Sequence, residues 1–306
     1  MTTTVISPEA DFVTEYAGGT LAREQVSLWR DGLRRLRRNK LAVAAFIFLC
    51  LLALVTIVSL FWTPYPPNAI GTCQTYELPS SHHLMGCDDL GRDELSRVMV
   101  GAQISLIVGL ATAFVVLVVG VVVGLIAGYL RGVVDTAISL VINIFYGVPP
   151  VLVAISLYVL LGASVLNIII AISATAWMDM ARLVRGQALS IREREFVEAA
   201  RAGGAKTGKI LFGHIFPNSL GPIIVQATFS IPIAILTAAF LTFLGFGVPP
   251  PTADWGGIAS EGLPALQAGY DPYILLFPAI AISLTLLAFN FFGDGLRDAF
   301  DPRQKR

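Results

Sequence analysis

The stretch LAVAAFIFLCLLALVTIVSLFW, residues 41–62, runs for 22 residues without a charge. A helix of that length, at 1.5 Å per residue, covers the ~30 Å hydrocarbon core of a bilayer. A cleaved secretory signal would have a shorter apolar core and a small-residue cleavage site. This run follows a polar tail and reads as a retained first span. Further apolar runs cover roughly 102–128, 134–161, 165–184, 219–243 and 273–296, which predicts six spanning helices. In lipid every backbone polar group must be satisfied within the protein, so only helices and closed barrels cross. Barrel strands are about half as long and alternate in polarity. The expectation is an all-α membrane protein with a tail at 1–40, a first span at 41–62, an external loop at 63–101, a five-helix core at 102–296 and a tail at 297–306.

Charge supports this layout. Only 14% of residues are charged, and the mean hydropathy is +0.73; a soluble domain carries about 25% charged residues. With the N-terminus in the cytoplasm, 19 of the 21 Lys and Arg residues fall inside, leaving only Arg92 and Arg97 outside. That asymmetry orients the chain by the positive-inside rule and puts both termini in the cytoplasm of a plasma (inner) membrane protein.

Before the first span, Val26, Trp29, Leu33 and Leu36 share one helical face, with Arg34, Arg35, Arg37 and Arg38 opposite. The pattern suits an interfacial helix on anionic lipid and equally a topogenic charge cluster; the two are compatible. Pro149, Pro150, Pro222, Pro232 and Pro278 fall inside or at the ends of spans, where proline kinks a helix. Gly109, Gly120, Gly124 and Gly128 form a small-residue stripe that permits close helix packing. Together they point to a bundle with broken, movable helices.

The longest charged interior stretch joins the fourth and fifth runs and contains GGAKTGKI, residues 203–210. It nearly matches a phosphate-binding loop, but Ile210 stands where a hydroxyl would hold Mg²⁺. The preceding REREFVEAAR is helix-forming rather than a strand. The segment reads instead as a short helix, a Gly203–Gly204 turn and a second short helix, closed by Pro217 where the next span begins. Ala199 and Ala200 are small enough for a partner to approach the backbone, and glycine permits the positive φ of a sharp reversal.

EFVEAARAGGAKTGKILFGHIFPN resembles the EAA loop of ABC-importer permease subunits. Glu198, Ala199, Ala200 and Gly204 match, and Phe216 replaces the leucine before Pro217. HLMGCDDLGRDELSRVMVGAQISL, FLTFLGFGVPPPTADWGGI and AFNFFGDGLRDAFDPR are similar, in the same order, to further segments of dipeptide and oligopeptide permeases of the C type. Met85, Cys87 and Met180 depart from that pattern outside the coupling motif. The resemblance implies a type I ABC importer permease (MetI-like) fold with six transmembrane helices. It implies coupling through loop 186–217, carried by Glu198, Ala199, Ala200, Gly203, Gly204 and Pro217. Its implied partners are a homologous B-type permease subunit, two cytoplasmic ATPase subunits holding ATP and Mg, an external substrate-binding protein and membrane lipid. No catalytic residue, cofactor, metal or nucleic acid is expected on this chain. Di- or oligopeptides are the expected cargo, with nickel or another small solute as the alternative within the subfamily. A polytopic membrane enzyme would need clustered ionisable residues in the spans, which hold almost none; a membrane scaffold is the remaining class.

His82 and His83 lie near Asp88 and Asp89, but adjacent histidines do not readily share one ion; they read as a solvated loop pair. Asp179, placed near the inner end of the fourth span, has Arg182 three residues on, the spacing of an interfacial salt bridge. Cys50 lies in the first span, whereas Cys73 and Cys87 both fall outside, on the oxidising side of most envelopes. Cys87 stands where the family usually has Thr. A Cys73–Cys87 disulfide is expected, closing a loop whose size is worth about 3 kcal/mol in the chain-entropy picture.

Overall fold

The computed structural model describes residues 28–300. Val26, the rest of 1–27, the side chains of 28–31 (Trp29 among them) and residues 301–306 with Arg303, Lys305 and Arg306 lie outside the described residues. In chain order the helices are α1 (Leu28–Arg38), α2 (Lys40–Val58), α3 (Glu94–Leu130), α4 (Gly132–Tyr146), α5 (Pro150–Leu161), α6 (Val165–Arg192), α7 (Glu195–Ala202), α8 (Thr207–Ile210), α9 (Phe216–Phe243), α10 (Trp255–Gln267) and α11 (Tyr273–Phe300). A π-turn, Leu211–Ile215, joins α8 to α9. There is no strand among the described residues, only the isolated bridge Cys87–Asp93.

Five helical stretches are long and apolar enough to span: α2, α3, α6, α11 and the continuous run Thr207–Phe243. The third of the six expected spans is broken: α4 and α5 meet at an angle of 89°. The cause is local. Gly147 and Val148 donate back to the carbonyls of Ile144 and Phe145, each at 3.1 Å, closing α4. Pro149 then disfavours the helical conformation in Val148, and Pro150, which has no N–H to lose, opens α5.

Two helices extend beyond their apolar runs. Asp93 caps α3 by accepting from the Ser96 N–H at 2.9 Å, so the helix starts at Glu94 rather than near 102. At the other end of the bundle α6 continues to Arg192 instead of stopping near 184. Helix α10, capped by Asp254, was not foreseen from hydropathy because it is short and carries Glu261.

The largest helix–helix interface is α3 on α6, and its glycines explain it. A Cβ on Gly120 would lie 2.5 Å from the Met180 Cβ; one on Gly124 would lie 2.5 Å from the Ala181 carbonyl oxygen and 2.7 Å from the Val184 Cβ; one on Gly128 would lie 2.6 Å from the Ala188 Cβ. Gly109 faces Ile235 on α9, so the stripe serves two neighbours. Gly124→Val should therefore force the two spans apart and cost at least ~1–3 kcal/mol, as overpacking does. Gly186→Ala, where nothing lies within 4 Å, should leave stability equal or raise it by up to ~1 kcal/mol. Denaturation of the solubilised protein separates the two; equal midpoints would refute this packing.

Helix α1 lies on the end of α11, with Gly32 against Phe300 and Leu36 against Gly295. Leu33 stays exposed beside Arg34, Arg37 and Arg38, a mixed surface of the kind that sits among lipid headgroups.

Candidate functional site

The charged segment after α6 folds into a knob. Its first helix, α7, buries Val197 completely, while Glu195, Phe196, Glu198 and Ala199 point outward. Gly204, at φ +77°, ends the helix in a Schellman cap. Its N–H donates to the Arg201 carbonyl at 3.0 Å, and the Ala205 N–H donates to the Ala200 carbonyl at 3.0 Å. Ile210, the residue that spoils the phosphate-loop pattern, is itself buried, so position 210 serves as an anchor. Val197, Ile210 and Ile215 join one apolar cluster with Met180, Val184 and Ala188 of α6. The knob is thus exposed on one side and fastened to the spans on the other. Phe196 and Phe212 remain 44% and 64% exposed, apolar surface in an otherwise charged segment. Pro217 sits in the first turn of α9, where the fifth span begins, and the π-turn before it carries the helical run on from α8. Lacking an N–H, Pro217 makes no bond back into the π-turn before it.

At the opposite end, residues 63–93 form a folded loop. Cys73 and Cys87 are joined by a disulfide, with Cα atoms 6.5 Å apart. The Tyr273 hydroxyl donates to the carbonyls of Glu77 and Cys87, at 3.0 and 2.9 Å, tying the loop to α11. Asp88 is the hub. Its Oδ2 accepts from Arg92 Nε at 2.5 Å and Arg97 Nη1 at 2.8 Å, and its Oδ1 accepts from the N–H groups of Leu90 and Arg92, both at 2.9 Å. Both guanidiniums also reach Glu261 of α10, at 3.0 and 2.7 Å. The two basic residues left outside by the charge count therefore lock loop, α3 and α10 together.

Two sequence expectations need correction. His83 is buried rather than solvated: its Nδ1 pairs with Asp93 at 2.8 Å, and its ring packs on Tyr65. Asp93 thereby caps α3 and holds the histidine at once, which leaves only His82 as a solvent-facing member of the pair. Asp179 and Arg182 do not pair with each other. The Tyr146 hydroxyl donates to Asp179, while the Arg182 guanidinium lies over the Tyr146 ring, 4.3 Å from its centroid, and reaches Asn143. A residue from another helix has come between two charges that share a helix face. Because α6 runs on to Arg192, Asp179 stands midway along the helix while remaining near the end of its apolar run.

Residues 120–306 match the family described as binding-protein-dependent transport system inner membrane component. The chain belongs to this family. Residues 27–79 match the N-terminal transmembrane domain of oligopeptide transport permease C. The oligopeptide transport system permease protein OppC of Bacillus subtilis (strain 168) is 43% identical over 94% of this chain and 93% of its own length. The dipeptide transport system permease protein DppC of the same organism is 42% identical over 94% and 89%. OppC of Escherichia coli (strain K12) is 42% identical over 91% and 92%. As an inner membrane transport component, the chain has a knob at one end of its spans and a cross-linked loop at the other, the two surfaces a subunit of a larger transport machine needs.

Asp254 caps α10 at the loop-bearing end of this permease component. Burial pushes Asp254 up from an ordinary 3.8 to about 6, even though it accepts from the Gly256 N–H at 3.1 Å. The folded state therefore holds this proton more tightly than the unfolded chain does. The stability it contributes is present below pH ~4, is lost as pH rises to ~6, and is constant above that; the difference corresponds to about 3 kcal/mol. Asp254→Asn retains the cap without the charge. The stability of the variant relative to the parent should rise across that window, read from melts at several pH values; a flat difference would contradict the burial of the carboxylate.

Proposed function

We propose that the chain is the permease subunit of an ATP-driven importer of di- or oligopeptides. The supporting observation is the knob, exposed outside the membrane yet continuous with the cores of α6 and α9. Such a part transmits displacement: a partner that moves α7 moves Val197 and Ile210, and through them the spans. Glu198, Ala199, Ala200, Gly203 and Gly204 form the surface that meets a cytoplasmic ATPase subunit, and Pro217 marks where that displacement enters α9. ATP and Mg belong to the ATPase pair. In this chain the 203–210 segment is a helix cap followed by a helix of four residues, with no strand before it.

The Lys and Arg distribution puts the knob and both termini in the cytoplasm. The locked loop of 63–93 then faces outward, where an external binding protein delivers cargo. A homologous permease subunit completes the pathway. Closing the ATPase pair on ATP draws the two knobs together, and differential ATP affinity for the closed pair biases the spans between inward and outward openings. The small residues of α3 keep α3 and α6 in close register, so that this pair moves as a unit. The cargo class follows the relatives, whose names specify oligopeptides and dipeptides.

The experiment is uptake of a radiolabelled tripeptide into proteoliposomes containing the whole assembly, with binding protein outside and ATP inside. Accumulation that requires both supports the reading. Accumulation of nickel ions but no peptide, or ATP turnover by this chain alone, would overturn it.

A further inference from the structure

The break between α4 and α5 coincides in depth with the one acidic side chain midway along α6. Tyr146 is the last residue of α4, and its hydroxyl donates to Asp179. Asp179 stands about 21 Å along α6 from Val165 at 1.5 Å per residue, still inside the apolar run that ends near 184. A carboxylate within a spanning segment is disfavoured against lipid, so it belongs against protein or in a watered cavity. A cavity is present. About 180 Å³ in volume, it is lined by Tyr146, Thr175, Asp179, Gln226, Ser230 and Thr237, with apolar side chains between them. That is far above the ~15 Å³ a single water needs.

The polar groups in this cavity share one bias. Gln226, Ser230 and Thr237 lie at helical spacing on one face of α9. Asp179 is the only charge among the lining residues. The C-terminal end of α4, with its partly negative carbonyls, abuts the same spot through Tyr146. Arg182 would cancel the charge if it reached Asp179, but the Tyr146 ring holds it off: the guanidinium stacks on the ring and turns to Asn143. Tyr146 uses its hydroxyl on one oxygen of Asp179 and leaves the other without a partner among the described residues.

We propose that Asp179, kept apart from Arg182 by Tyr146, is a subsite for the ammonium group of the cargo within the spanning part of α6. The ligand class is a primary ammonium, the amino terminus of a peptide in transit. The carboxylate supplies the charge, the end of α4 adds a favourable dipole, and Gln226 and Ser230 supply neutral hydrogen-bonding groups on the facing helix. This rests on the importer reading above and adds a selectivity element within it.

The test uses the complete transporter in proteoliposomes with two probes, a tripeptide with a free amine and its N-acetyl form. Asp179→Asn should lower uptake of the free-amine peptide roughly tenfold or more, the loss expected for one charge-assisted contact worth ~1.4 kcal/mol or above. The N-acetyl peptide should change less than about twofold by the same reasoning, and Asp179→Glu should restore most of the free-amine uptake. An equal fall for both peptides, or none, overturns the subsite. Should Asp179→Asn fail to assemble, Ser230→Cys in an otherwise unaltered complex serves instead. Its thiol should be protected from alkylation by the free-amine peptide and not by the N-acetyl form; equal protection overturns the proposal. If the unaltered complex takes up neither peptide, the importer reading falls, and this inference falls with it.

Discussion

Asp88→Ala should destabilise the loop-bearing end of the protein by roughly 3–5 kcal/mol, the cost of removing one partner from a buried charged cluster. Arg97 is only 2% exposed, and Arg92 only 7%. Without Asp88 both guanidiniums keep a single strong partner, Glu261, which is a third exposed. The N–H groups of Leu90 and Arg92 would lose their acceptor as well. The neighbouring Asp89 provides the control. It is 46% exposed and 3.6 Å from Arg92, so Asp89→Ala should change stability by less than ~1 kcal/mol. Denaturant or thermal unfolding of the solubilised protein distinguishes the two; equal small effects would mean that the lock contributes nothing.

The second large effect is functional. The Glu198 side chain is exposed and makes no hydrogen bond or ion pair among the described residues, yet it projects from a helix whose opposite face is anchored by Val197. Glu198→Ala should leave melting within about 0.5 kcal/mol of the parent, as surface changes do. It should still reduce ATP-driven uptake more than tenfold, because truncating one member of an interfacial charged pair costs about 2–5 kcal/mol. Gly204→Val acts differently. The left-handed conformation costs a residue with a Cβ roughly 1–2 kcal/mol, so both the turn and the coupling should suffer. If Glu198→Ala transports normally, the knob is not the coupling element.

Much of this was legible in the residues. Long apolar runs with few charges marked the spanning helices, because lipid requires the backbone to be satisfied internally. The glycines of α3 announced close packing, and Cys73 and Cys87 announced their bond. Third bodies were what spacing could not show. The interval from Asp179 to Arg182 allows a pair, but the aromatic ring between them comes from α4, across a break that composition marks and does not orient. His83 looked solvated because its partner, Asp93, is ten residues away in sequence and is brought back by the turn of the loop. Helix α10 escaped notice because neither length nor hydropathy distinguishes it, although Asp254 before WGGI is a recognisable cap.

The coupling claim has a direct measurement. A photoreactive benzoyl-phenylalanine replaces Phe196, the exposed aromatic residue of α7, in the full assembly, and the covalent adduct is identified by mass spectrometry after illumination. The account predicts an adduct with an ATPase subunit whose yield differs between ATP-bound and nucleotide-free complexes. An assembled, transport-competent complex in which position 196 gives no ATPase adduct in either state would contradict it.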